Sequence, residues 1–441
     1  MKLLFIFIFL FFLRILSSIT ADLVYLTLAF MAVLGGKNTI YAFILCWFFT
    51  LINPVLAPEN SLGMVGRYLV ILGGFLGIIL KFFIQKNKLI DKYALFTGLI
   101  FLIIFIHSLI FSSIPSISIL KISSWFFVFC VLFYCWNSLD ELNRNLIFEK
   151  ILSLLIIILV FSIPFLFIPA IGFARNGTGF QGLLNHPQAF GPTVALLGVI
   201  VGGKILANKN NKLFDLFLFS LCVVFIILSE ARTAGLGMLL ALIVGLLLNP
   251  ILSKKHFTEA NPIFKNKWTY FYSIIILFFA YLFSGLYLNK LKDYFFKRTD
   301  SSSLFEAAEN SRGGLVEKML INIENNPLTG IGFGMSSNPE DMKIEFDPFF
   351  NIPISAVTEK GVLPIAILEE LGIVLGIIVF FWFVLSFYRS AQVDVQKLCI
   401  VICIVCLNLG EYMFFSVGGM GMLMLIFFTF SVVLRKKSES I

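Results

Sequence analysis

The sequence predicts an all-α polytopic membrane protein, and three observations carry that expectation. Of 441 residues, 59% are apolar and only 13% are charged, about half the charged share of a soluble domain. The apolar residues stand in unbroken runs such as Ile151 to Val160, not in the alternating pattern of a transmembrane barrel. At about 20 residues per span, this is material for about 12 to 14 transmembrane helices.

The apolar opening Leu3 to Ile19 leads into a second apolar stretch with no small-residue cleavage pattern, so it reads as a first span and not as a cleaved signal. Further spans are expected at 22–36, 38–56, 66–84, 93–112, 119–136, 151–170, 188–207, 213–229, 233–250, 269–288, 362–387, 398–410 and 418–434. The second and thirteenth are short for a bilayer, which pulls the count toward twelve. All seven cysteines fall inside these runs, which excludes a disulfide framework. Cys399, Cys403 and Cys406 share a helical face and read as packing. The organisation is therefore N-terminal helices over 1–170, central helices over 171–288, a large loop over 289–361 and C-terminal helices over 362–441.

The net charge of +8 is a topology signal, because its lysines are spread over alternate connections and form no patch for nucleic acid. Lys81, Lys86, Lys88 and Lys92 stand in one connection, Lys204, Lys209 and Lys212 in another, and Lys254, Lys255, Lys265 and Lys267 in a third. These connections and both termini are assigned to the cytoplasmic side. The other side receives 57–65, 113–118, 171–187, the Ser229 to Arg232 joint and the stretch 289–361. That stretch is far beyond ordinary connection length, so it is expected to be partly folded and functional. Within it, Leu315, Met319 and Ile323 recur at helical spacing over 313–325, and Pro327 with the glycines at 330, 332 and 334 ends the helix. Those glycines follow no strand and open no helix, so they read as a turn and not as a nucleotide loop.

Arginine breaks the charge pattern. Five of the nine arginines (Arg67, Arg175, Arg232, Arg298, Arg312) fall on the outer side, where basic residues should thin out. A guanidinium stays charged and pairs two-to-two with phosphate oxygens, so this retention points to an anionic ligand, with surface salt bridges as the competing explanation for Arg298 and Arg312. Arg232, beside Glu230 at a helix joint, needs an ion pair or a ligand. Of the three histidines, His107 falls within a span and His256 in a cytoplasmic connection. His186, in the glycine-rich connection 171–187, is left as a candidate acid or base, or as a helix cap. Three dispersed histidines make no metal site. Glu359 stands just before a span and the adjacent Glu369 and Glu370 about two turns into it; such carboxylates are either general bases or partners of a basic residue from the outer loops. Glu411 carries the same ambiguity.

These residues resemble a known family. The Arg175 to Gly191 loop with its Asn-His-Pro-Gln, the Ser229-Glu230-Ala231-Arg232-Thr233-Ala234 joint, Asn326-Pro327-Leu328-Thr329-Gly330-Ile331-Gly332 late in the loop and Glu369-Glu370-Leu371-Gly372 in the next span are together similar to the O-antigen ligase and polysaccharide polymerase family of bacterial membrane glycosyltransferases. The resemblance covers about residues 170 to 390 and implies a C-type, metal- and cofactor-independent enzyme of the inner membrane with its active site facing outward. It implies a donor glycan on undecaprenyl diphosphate, a glycan or lipid-linked acceptor, and association with a flippase and a chain-length regulator. It also implies that Arg175, Arg232 and Arg312 bind the diphosphate, leaving Glu359, Glu369, Glu370 or His186 to deprotonate the acceptor. Ligases of the family carry a histidine near the end of the loop, where this chain has Glu359 and Lys360, so polymerisation of repeat units is expected ahead of ligation to lipid A core or to a protein. A transporter is the rival from another class; paired broken helices would support it.

Overall fold

The computed structural model describes residues 2–58, 62–84, 91–209, 212–267, 269–270, 304–346, 353–356 and 360–434. Among these the chain is almost wholly helical: α1 (Lys2–Leu16), α2 (Ser18–Val33), α3 (Lys37–Thr50), α4 (Gly63–Ile84), α5 (Lys92–Phe111), α6 (Pro115–Ser138), α7 (Glu141–Ser162), α8 (Pro187–Leu206), α9 (Lys212–Ser229), α10 (Arg232–Ser253), α11 (Leu304–Asn325), α12 (Leu363–Ala391), α13 (Val395–Leu407) and α14 (Met420–Val432). Six are long and apolar enough to cross a membrane: α5, α6, α7 with its 3-10 extension, α8, α10 and α12. Five shorter apolar helices accompany them. The protein is an all-α polytopic membrane protein, and the span expected at 269–288 lies outside the described residues except for its first two.

Local chemistry moves several boundaries from the hydropathy reading. Ser17 splits the first apolar stretch by capping α2 in a reciprocal box with Thr20. Pro115 occupies the first turn of α6, where its missing N–H costs nothing, so that helix starts before its apolar run. Asp140 accepts from the Asn143 amide and starts α7 ten residues before the expected span. Helix α14 is only 13 residues long and buried throughout, about 20 Å against an apolar core of about 30 Å. The connection before it, from Asn408, supplies the remaining depth: Phe414 and Phe415 are buried, and Asn408 Oδ1 accepts from the amides of Met413 and Phe414, both at 2.7 Å. Irregular backbone at that depth is tolerated because protein surrounds it.

Small residues set the closest helix approaches. A Cβ on Gly73 or Gly77 of α4 would stand 2.5 or 2.6 Å from a carbonyl of α2, and one on Gly203 of α8 would stand 2.8 Å from the Gln396 backbone of α13. Around them lies an aromatic core in which Phe101 stacks on Trp125 at 4.3 Å and Trp382 meets Phe428 at 5.1 Å. Each of three indoles finds an acceptor: Trp125 donates to Phe414 O, Trp382 to Thr97 Oγ1 and Trp136 to Ile426 O.

The connections gather at two ends. At one, Lys209 pairs with Asp394 at 2.9 Å and Lys204 with Glu149 at 3.1 Å, Arg389 pairs with Asp91, and Arg144 donates to Leu434 O. At the other, Asn53 N donates to Leu183 O, Ser113 N to Ile331 O, Phe180 N to Leu228 O and Tyr412 N to Lys360 O. The lysine-bearing connections share the first end, called here the basic end, and the glycine-rich connection and the long loop share the second, the loop end. The described part of the loop is folded, as α11 and a hairpin of β1 (Ile344–Phe346) against β2 (Pro353–Ala356). Tyr68 of α4 donates to Ile354 O and holds the hairpin down.

Candidate functional site

Helix α12 is interrupted ten residues in, at Gly372 (φ 73°, ψ 173°). In a continuous helix the amides of Ile373 and Val374 would take the carbonyls of Glu369 and Glu370. Here the 327–332 segment replaces that ladder: Ile331 N donates to Glu369 O at 2.9 Å, Gly332 N to Glu370 O at 3.0 Å, and Ile373 N to Pro327 O at 2.8 Å. A Cβ on Gly372 would stand 2.2 Å from Leu328 O, so glycine is required both by its positive φ and by the contact. The turn expected from the sequence at Gly330 to Gly334 is thus a plug in a broken membrane helix.

The break seats the two glutamates. Lys360 Nζ lies 2.7 Å from Glu369 Oε2 and 3.1 Å from Glu370 Oε1, and all three side chains are sealed from solvent. Glu369 Oε1 accepts from Asn322 Nδ2 of α11 at 2.7 Å; Glu370 Oε2 accepts from Tyr412 OH and from Gly334 N, both at 2.7 Å. Lys121 of α6 donates to Gly334 O at 2.7 Å and acts on Glu370 through its charge. Two ammonium groups thus balance two carboxylates. Of the two readings open from the sequence, the geometry realises the ion pair with a basic neighbour.

A second group forms at the joint of α9 and α10. Glu230 is left-handed (φ 57°) and turns the chain so that Arg232 opens α10, with its amide bonded to Glu230 O. The 171–187 connection packs on this joint: Phe180 N donates to Leu228 O, Thr178 Oγ1 donates to Glu230 Oε2 at 3.0 Å, and a Cβ on Gly179 would touch Ser229 O at 2.8 Å. Arg175 is exposed, Arg232 half-buried, and Arg175 lies near enough to His186 to act on it electrostatically. His186 caps α8, its Nδ1 accepting from Gln188 N at 3.0 Å. Burial and then the Arg175 charge lower its pKa from the ordinary 6.5, so the ring is neutral at pH 7. The cap expected as one alternative is real, and it fixes the neutral ring's proton on Nε2.

The two groups are neighbours through one connection. Thr233, next to Arg232, packs against Gly410, and Tyr412 two residues on bonds Glu370. The Arg312 side chain, Arg298 and Glu359 lie outside the described residues. Arg67, counted from the sequence as an outer-face ligand candidate, is buried: it lies over the Tyr68 ring at 4.9 Å and under Gly418. Arg14, placed by hydropathy within the first span, reaches the loop end and donates to Pro58 O at 2.7 Å. His107 stands one turn from the end of α5 against the Thr329 backbone, not in mid-span. Sequence reasoning missed Asn322, Lys121 and Tyr412, and the one local signal for the knot was the Lys360 to Glu370 proximity in sequence. Compared with family models, curated proteins and solved structures, the chain matches none.

Proposed function

We propose that this protein is a glycosyltransferase of the bacterial inner membrane, which takes a glycan from undecaprenyl diphosphate at the outer face and joins it to a sugar hydroxyl, polymerising repeat units of a surface or secreted polysaccharide. The observation that carries this reading is that the connection bearing Arg175 and His186 packs on the joint bearing Arg232, at the end that also holds the folded loop. As the glycosidic bond breaks, negative charge grows on the leaving diphosphate, and guanidinium groups that close on it stabilise that charge most in the transition state. In neutral His186 the proton sits on Nε2, which can donate to a diphosphate or sugar oxygen; to take the acceptor proton the ring must first release its Gln188 cap at Nδ1. A lateral cleft of about 440 Å³ between α4 and α6 at the same end, lined by Ile71, Leu72, Leu120 and Phe127, suits an isoprenoid tail.

The interrupted α12 favours a second reading, a transporter, because such proteins bind substrate at broken helices near buried ionisable groups. Against it, the break is filled by the chain's own 327–332 amides, and α12 alone among the described helices departs from helical backbone. A glycan gel of the deletion strain, complemented with wild type, Arg175→Ala, Arg232→Ala or Arg312→Ala, with lipid-linked intermediates extracted from each, separates these readings. The expected result is loss of long chains in all three variants at unchanged protein level, with single repeats still attached to their acceptor. Long chains stranded on undecaprenyl diphosphate would make the protein a ligase, and unchanged glycans in the deletion strain would favour transport.

A further inference from the structure

At the basic end, where α5 begins and α12 finishes, a lateral cleft of about 270 Å³ lies between the two helices. Its walls are Phe96, Leu385 and the Tyr93 and Tyr388 rings, and Phe96 meets Phe381 edge-on at 6.3 Å to tie α5 to α12 there. Leu95 and Val384 beside it are exposed at 55% and 54%, which in this fold means facing lipid. The same cleft is bounded by three polar groups, Lys92, Arg389 and Gln392. Arg389 is fixed: one terminal nitrogen pairs with Asp91, Nε donates to Val432 O, and the guanidinium lies over the Tyr93 ring at 5.0 Å. Its other terminal nitrogen donates to no described residue. Lys92 is exposed and makes no contact with a described residue that would hold it.

Charge and shape select the occupant. Among the described residues, Lys92 and Arg389 against Asp91 leave one positive charge, which matches one phosphodiester. A soluble anion would leave the apolar walls uncovered, and a zwitterionic lipid would set its ammonium against Lys92. We propose that this cleft binds an anionic phospholipid, with its phosphate at Lys92 and the free Arg389 nitrogen and an acyl chain along Phe96 and Leu385. Basic pockets between membrane helices take lipid headgroups by this combination. The site is remote from the arginine corner and does not depend on the glycosyltransferase reading.

Native mass spectrometry of the full chain with phosphatidylglycerol and phosphatidylcholine of identical chains tests the proposal. Wild type is expected to retain one phosphatidylglycerol in preference to phosphatidylcholine. Lys92→Gln, which removes no contact with a described residue, should lower that preference about fivefold, the factor expected of one basic residue near a lipid surface. Leu385→Trp, which fills the cleft, should release the retained lipid. Equal retention of both lipids by wild type, an undiminished preference in Lys92→Gln, or displacement of phosphatidylglycerol by an equal concentration of inorganic phosphate would each overturn it.

Discussion

Lys360 shows how one residue decides the state of its neighbours. Two buried carboxylates share it, and each also accepts from a neutral donor, Asn322 or Tyr412. Removing one member of such a set leaves an uncompensated buried charge, a loss of about 3–5 kcal/mol. Lys360→Met should therefore lower the thermal midpoint in detergent sharply, and the double variant Lys360→Met/Glu370→Gln should recover part of it by deleting one charge. A double variant no more stable than the single would show that the carboxylates are not what Lys360 holds. The sequence marked Glu369 and Glu370 as costly in an apolar helix but left open whether a ligand or the chain itself compensates them. Apart from Lys360, just before α12, their partners come from α6, α11, the loop and the 408–419 connection, all distant from α12 in sequence. His186 was legible in part: its place before Pro187 allows a cap, but the Arg175 charge beside it appears only when the connection is folded.

At the scale of elements, the interruption of α12 and the cap of α8 each make a prediction. Gly372→Ala places a methyl group against Leu328 O in a left-handed conformation, which costs about 1–3 kcal/mol from the backbone alone. The 327–332 segment should then undock, seen as faster proteolysis between Asn326 and Met335 in the variant; equal cleavage rates would argue against the plug. His186→Ala should lower stability by about 1 kcal/mol, whereas His186→Asn, which retains a cap acceptor, should not. The pH dependence has a definite sign. Because the folded pKa of His186 is depressed, its contribution is complete above the ordinary value of 6.5 and is lost as pH falls through the lower folded value. The thermal midpoint of wild type should accordingly fall more steeply below pH 6.5 than that of His186→Asn, and parallel curves would exclude this histidine as the titrating group. Hydropathy found α12 but not its break, since Gly372 is one glycine among several in apolar runs.

The whole molecule sorts its connections into two ends, and this gives the topology a direct test. Cysteines introduced at Thr178 and Ser113, both at the loop end, should react with a membrane-impermeant maleimide added to intact cells, in a background lacking the native cysteines. A cysteine at Lys209, at the basic end, should stay unlabelled until the membrane is permeabilised. Labelling of all three alike, or of position 209 alone, would reject the assigned orientation.

The sequence by itself determined the class of the molecule, because apolar run length is a local quantity that a bilayer reads directly, and lysine placement picked out connections that the fold gathers at one end. It also singled out candidate segments, since arginine at a membrane surface and adjacent glutamates in an apolar helix are anomalies visible without a fold. Which groups meet was decided only by the tertiary structure. Arg67 proved to be packed inside and Arg175 to lie beside His186, and the two glutamates proved to be closed by Lys360. The physical reason is that a buried charge must be compensated within hydrogen-bond distance, and, Lys360 apart, the compensating groups are brought there by helix packing and the docked loop across long separations in sequence.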